Sequence, residues 1–257
     1  LDGGAFFDPN PLESDGSHHR QPWFGCACCP SNICRFIPSV PGYVYASGGD
    51  DLYVNLYMPN TMTHKIAGRK VSLSQETSYP WDGDVRIRIE ENKAGEFPLK
   101  LGIPGWARGE VVPGDLYTFA DSKPSSWSVS VNGEEVEPVL ENGYSCISRK
   151  WKKGDEIVLH LDMEPRLVKA DEAVEADRGR LAVERGPLVY CAEWPDNAGD
   201  VTVAGISREV SLDVERRADL LNGIDVIRAG SLTLIPYYAW NHRGAGKMAV
   251  WLKDKDL

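Results

Sequence analysis

The stretch WSVSVNGEEVE, residues 127–137, alternates apolar and polar side chains from Trp127 to Val131, breaks at Asn132-Gly133 and resumes toward Val136. A period of two puts successive side chains on opposite faces of a strand. Asn-Gly tolerates the left-handed backbone of a two-residue turn, so the stretch reads as a β-hairpin. Outward from it the same period recurs in 51–58, 69–79, 84–91 and 97–104, each bounded by Gly, Pro, Asn or Asp. Residues 144–163 read as two strands joined near Lys153-Gly154-Asp155. Many short strands at this spacing, with almost no helix, predict a mainly β chain of antiparallel β-sandwich type.

Residues 168–180 are charged and do not alternate, which predicts a boundary or crossing segment. Strands are expected again at 180–193, 210–215, 231–240 and 248–252. Before Tyr43 the period is helical: Ile33, Phe36, Ile37 and Val40 fall on one face behind Pro30. Pro30 suits the first position of a helix, and Pro38 and Pro41 are expected to stop it after about two turns. Residues 1–22 read as loop with room for a short strand.

Composition narrows the function classes. The formal charge is −10 with no block of Lys or Arg, which argues against nucleic acid or an anionic membrane as partner. No apolar run approaches the roughly 18–20 residues that span a bilayer. The opening LDGGAFFDPN has neither a start methionine nor a signal peptide, so the chain reads as a piece of something longer. The compartment stays open between bacterial cytoplasm and periplasm or secretion.

Four of the six cysteines lie within WFGCACCPSNICRF, residues 23–36. Cys146 and Cys191 stand alone in strand-like surroundings and are expected to be small buried residues. Three readings of Cys26, Cys28, Cys29 and Cys34 stand side by side. They are incidental thiols in a packed turn, or a structural zinc site, or a reactive thiolate. A zinc site normally needs a second, well-separated ligand pair, and none follows downstream. A thiolate is stabilised at the positive end of a helix. With Pro30 opening the helix, Cys29 is expected at its N-cap and Cys28 just before.

The segments NPLESDG, HHRQPWFGCACCPSN, PGYVY, LYVNLYMPN, LGIPGWA, ERGPLVYCAE and IPYYAWNHRGAGKMAVWL, in this order, resemble glycoside hydrolase family 127, the β-L-arabinofuranosidase family. The resemblance implies an (α/α)6 barrel followed by β-sandwiches. Residues 1–45 would then be the end of the catalytic barrel with the Cys-Cys-Pro loop, 46–167 a β-sandwich domain, and 168–257 a second sandwich or strands completing the first.

The resemblance also implies chemistry. Cys28 matches the family's nucleophilic thiolate and a zinc ligand, and Cys29 matches a second zinc ligand. Cys26 matches no known ligand position, and Cys34 is expected to pack. The substrate implied is a carbohydrate ending in L-arabinofuranose or a related sugar. His18 and His19 lead into the loop and are candidates for contact with that sugar, while Trp23 is expected to pack beneath it. The family's acid/base glutamate, zinc glutamate and third zinc cysteine precede this loop, in the N-terminal barrel. Neither Glu13 nor Asp8 or Asp15 is given either role. Zinc is therefore expected to have an incomplete site in this chain, and the chain alone is expected to be inactive. Two rival readings are the same scaffold acting on another sugar and a non-catalytic β-sandwich module. Trp81, Trp106 and Trp127 are assigned to packing rather than to sugar stacking, as is YYAWNHRG.

Overall fold

The computed structural model describes residues 11–21, 25, 28–124, 126–137 and 139–257. The expectations for Asp8, Trp23 and Cys26 lie outside the described residues. The chain is mainly β and divides into two units.

One unit holds residues 32–109 and 124–163. The hairpin at 127–137 is present: Trp127–Val131 pairs antiparallel with Glu134–Val136, and Asn132 and Gly133 both take positive φ, 55° and 81°. Asn132 does more than turn the chain. Its side chain donates to Asp155 Oδ1 at 3.0 Å and accepts from the Glu156 amide at 2.9 Å, tying the hairpin to the next strand. Six strands form one sheet, in the order Glu134–Val136, Trp127–Val131, Glu156–Leu161, Asp84–Asn92, Arg69–Thr77, Asn60–Ile66. Five form a second sheet: Val139–Glu141, Tyr144–Lys150, Glu96–Gly102, Asp51–Val54, Tyr45–Gly48. All neighbours are antiparallel except Asp51–Val54 beside Glu96–Gly102. Alternation fills the space between the sheets: Val85, Ile87 and Ile89 come from one, Leu52, Leu99 and Leu101 from the other, each fully buried. Each such side chain contributes about 1.5–3 kcal/mol.

The other unit joins the described residues up to Ser31 with 110–123 and 164–257. Among its described residues eleven strands form one sheet. Leu181, Val183, Tyr190, Ala192 and Leu234 belong to one core cluster, while Ala182, Cys191 and Ile235 belong to another. The sheet is thus buried on both faces, which explains why LAV (181–183) and YCA (190–192) run without alternation. The crossing segment expected at 168–180 begins later. Pro165–Ala170 is a strand, paired with Arg180–Arg185 and with Tyr117–Phe119, and the turn occupies the residues between. Ladder bonds to two neighbours hold Val168–Ala170 extended despite the charge on Lys169.

The helix differs from its sequence reading. It runs Cys28–Ser39, twelve residues, and a separate turn of helix follows at Pro41–Val44. Pro38 lies inside it, close enough to the end that its missing N–H breaks little of the ladder. Cys29 is therefore not the N-cap: both Cys28 and Cys29 sit in the first turn. Among the described residues no helix is long and apolar enough to cross a membrane.

Candidate functional site

The segment before the thiols is stitched to the eleven-stranded sheet. Glu13–Asp15 pairs antiparallel with Lys247–Ala249, and Val250 donates its amide to Leu12. Pro11 accepts the Tyr237 hydroxyl at 3.0 Å. Gly16 has φ 103°, and a Cβ there would lie 3.6 Å from the Gly246 backbone, so the turn depends on glycine's permissive φ. Ser17 closes the turn by donating both its amide and its hydroxyl to Asp15 Oδ1, which holds the Asp15 carboxyl below its ordinary range.

The two histidines part ways. His18 is half-buried, shares a 2.9 Å hydrogen bond with buried Ser14, and accepts the Asn241 side-chain amide on its carbonyl. His19 is exposed. Arg20 turns back to the sheet: its Nε and Nη2 both donate to the Trp240 carbonyl, at 3.1 and 2.7 Å, and Nη2 also reaches the Tyr238 carbonyl at 3.3 Å.

The corner that receives these bonds, Tyr237–Arg243, is itself pinned. Trp240 is buried, and Tyr237 stacks on it. Glu193, buried, accepts the Asn241 amide at 2.7 Å and pairs with Arg243, which also grips Asp196. Asn241 takes φ 61°, a conformation asparagine tolerates better than most residues. Packing, the role expected for YYAWNHRG, describes Trp240. Its carbonyls and Asn241 have a second role, as the receptor for residues 11–20. Sequence reasoning missed this because the two segments lie some 220 positions apart and the acceptors are backbone carbonyls, which no residue type marks.

Cys28 and Cys29 emerge on the first turn of the helix, both exposed, with their sulfurs 3.9 Å apart. Within that turn the Ser31 hydroxyl donates to the Cys28 carbonyl at 2.9 Å. Two thiolates on one tetrahedral zinc, with bonds of about 2.3 Å, lie about 3.8 Å apart. The observed pair fits one edge of such a site. Among the described residues no group of three or more His, Cys, Asp or Glu is arranged to hold a metal.

Cys34, expected to pack, is exposed with Ile33, Phe36 and Ile37. These residues share a face that nothing in the described chain covers. Cys191 is buried as expected, and burial pushes its thiol well up, which leaves it inert. Cys146 is half-buried, so the expectation of burial holds only in part. Trp106 and Trp127 pack against the sandwich core, whereas Trp81 is exposed.

The mainly β architecture of this chain is shared with solved glycoside hydrolases. A GH127 β-arabinofuranosidase structure superposes with a TM-score of 0.92 at 52% identity, covering 99% of this chain and 43% of that one. A GH127 β-L-arabinofuranosidase from Geobacillus stearothermophilus gives 0.84 at 35% identity, over 98% and 44%. The non-reducing end β-L-arabinofuranosidase of Bifidobacterium longum is 33% identical over 98% of this chain and 42% of its own length. The chain spans less than half the length of these relatives.

The match can be placed domain by domain. Residues 1–42 match the β-L-arabinofuranosidase GH127 catalytic domain, 51–163 the GH127 middle domain and 165–253 the family's C-terminal domain. The chain belongs to glycoside hydrolase family 127.

Proposed function

We propose that this chain is the C-terminal part of a retaining glycosidase that acts on β-L-arabinofuranosides with the Cys28 thiolate as nucleophile. The observation that carries the reading is the exposed Cys28–Cys29 pair, 3.9 Å between sulfurs, in a chain of this family. The Cys28 sulfur attacks the anomeric carbon, the glycosidic C–O bond breaks, and the departing oxygen takes a proton from a general acid. Water then attacks the same carbon, giving its proton to the general acid deprotonated in the first step, the C–S bond breaks, and the thiolate is restored. Two inversions amount to retention.

Cys28 and Cys29 would hold zinc, which would keep both sulfurs deprotonated at neutral pH. His19, exposed beside the segment that leads to the thiols, and His18 are assigned to the sugar. Since Ser14 and Asn241 already engage His18, its part is to orient rather than to reach. The general acid and the remaining zinc ligands are assigned to an N-terminal barrel, without which this chain is inactive. The uncovered Ile33, Phe36 and Ile37 support that assignment, since an apolar helix face of this kind is normally buried against a partner.

The test is the full-length protein on an aryl β-L-arabinofuranoside. Cys28→Ser should lower kcat at least about a thousandfold, and Cys29→Ser should lower the zinc bound per chain. Full turnover in Cys28→Ser would sink the nucleophile assignment.

A further inference from the structure

We infer that the eleven-stranded unit carries a binding cleft for a neutral oligosaccharide, between the strand Pro165–Ala170 and residues 208–212. The inference goes beyond the function proposed above and takes from it only the choice of probe. None of Cys28, Cys29, His18 and His19 lines the cleft. Its volume is about 480 Å³, within the range of small-molecule sites. A second cleft of about 310 Å³ is lined by Thr118, Lys169 and Arg180. Arg208 lines both, so the two adjoin, as subsites for successive units of a chain would.

The lining points to a ligand with an apolar face and a hydroxylated edge. Buried Leu167 and the half-buried Ala120, Val210 and Leu212 all join one core cluster and give the first cleft an apolar floor. Around them stand three cations, Lys123, Arg166 and Arg208, and three carboxylates, Asp121, Glu164 and Glu209. Each cation already has a carboxylate. Lys123 meets Glu164 at 3.2 Å, Arg166 meets Asp121 at 2.6 Å, and Arg208 meets Asp254 at 2.6 Å. A phosphate or uronate would therefore find only neutralised cations, whereas hydroxyls can share the remaining bonding capacity. Asp121 Oδ1 accepts from Arg166 at 2.6 Å and from the Lys123 amide at 2.9 Å, while Oδ2 accepts from Arg166 at 3.3 Å. Oδ2 keeps acceptor capacity, and so does the Ser211 hydroxyl, which donates to Asp213. These polar groups belong to side chains, whereas a peptide that adds to a sheet is held by backbone groups of its edge strand.

Both walls are formed in advance. Asp256 accepts the Ser207 hydroxyl at 2.9 Å and the Arg208 amide at 2.6 Å, and the Asp254 carboxylate beneath Arg208 is 1% exposed. On the opposite wall the Arg166 guanidinium lies 3.5 Å from the centre of the Phe119 ring and also donates to the Lys123 carbonyl. Side chains already held in place lose little freedom when a ligand arrives.

The experiment titrates this chain with L-arabinotetraose, a neutral oligosaccharide, and follows backbone amide shifts by NMR. Saturable shifts confined to 118–123, 164–169 and 207–212 are expected, with a dissociation constant of about 1 mM or below. Ser211→Trp places a bulky ring at an exposed position of the lining. It should weaken binding at least about tenfold at an unchanged melting temperature; if this variant does not fold, the shift map of the parent decides. No saturable shift up to about 20 mM, or shifts that fall elsewhere, would overturn the inference. So would tetragalacturonate or a serine–alanine tetrapeptide that moves the same amides at least as strongly, marking a site for an anionic glycan or a peptide instead. Turnover plays no part in the titration. Full activity of Cys28→Ser in the full-length protein would refute the nucleophile and leave the cleft standing, whereas a blank titration would remove the cleft and leave the nucleophile assignment untouched.

Discussion

Glu193, 1% exposed, accepts the backbone amide of Asn241 at 2.7 Å and so holds the corner at 237–243 against the strand Leu188–Glu193. Its other oxygen faces Arg243. Glu193→Ala strands a buried N–H and removes one of the two carboxylates that neutralise Arg243. A loss of about 2–4 kcal/mol is expected. A urea titration should show a lower midpoint at unchanged slope; a midpoint within error of the parent would contradict the account.

Gly83 is required for contact rather than for flexibility. A Cβ there would stand 1.9 Å from the Leu161 carbonyl oxygen, and Leu161 donates its amide to Gly83 at 3.0 Å. The obstacle is backbone and cannot rotate aside. Gly83→Ala should destabilise the sandwich unit by about 3 kcal/mol or more, read as an early melting transition. An unchanged transition would mean that the two strands separate there at little cost.

Glu184 introduces a pH dependence. Burial raises its carboxyl from 4.5 to about 7, against the opposing pull of Arg166, its cross-strand neighbour. In the unfolded chain the group ionises near 4.5, whereas the folded chain keeps the proton until about 7. The unfolded state therefore binds fewer protons in this window, and the folded state loses stability as pH rises from about 4.5 to 7. The full penalty, up to about 3 kcal/mol, applies above 7. Glu184→Gln should raise stability at pH 8 and change it little at pH 4.5. An equal gain at both values would point to packing rather than ionisation.

Phe36 separates this chain from its longer context. It is 56% exposed beside Ile37. Phe36→Ser should leave the stability of this chain within about 0.5 kcal/mol. In the full-length protein the same change should cost about 1–3 kcal/mol if the helix face is covered there. Equal melting temperatures for parent and variant in both forms would remove the support this face lends to a barrel partner.

Much of the sandwich unit was legible because its strands carry one face in and one face out. Residues 84–91 and 97–104 alternate cleanly, and Asn132-Gly133 marks its own turn. Asn142-Gly143 makes a second such turn, with φ 50° and 83°, between Val139–Glu141 and Tyr144–Lys150. Val139–Glu141 was not expected as a strand, because it is short and exposed on both faces. Tyr117–Phe119 escaped for a related reason: three residues carry too little periodicity to be recognised. The helix start was misplaced by two residues because Pro30 suits the first turn as a whole, not one position in it.

For the site, the amino-acid sequence alone determined the thiols, their adjacency and the family to which the chain belongs, since these depend on residue identity and order. Only the tertiary structure decided what holds residues 11–20. The bond from Arg20 to the Trp240 carbonyl closes a loop of some 220 residues and goes to a backbone atom. Every residue carries a carbonyl, so nothing in the side chains marks which one Arg20 will find. That choice is made by the sheet that brings residues 11–20 beside 237–241.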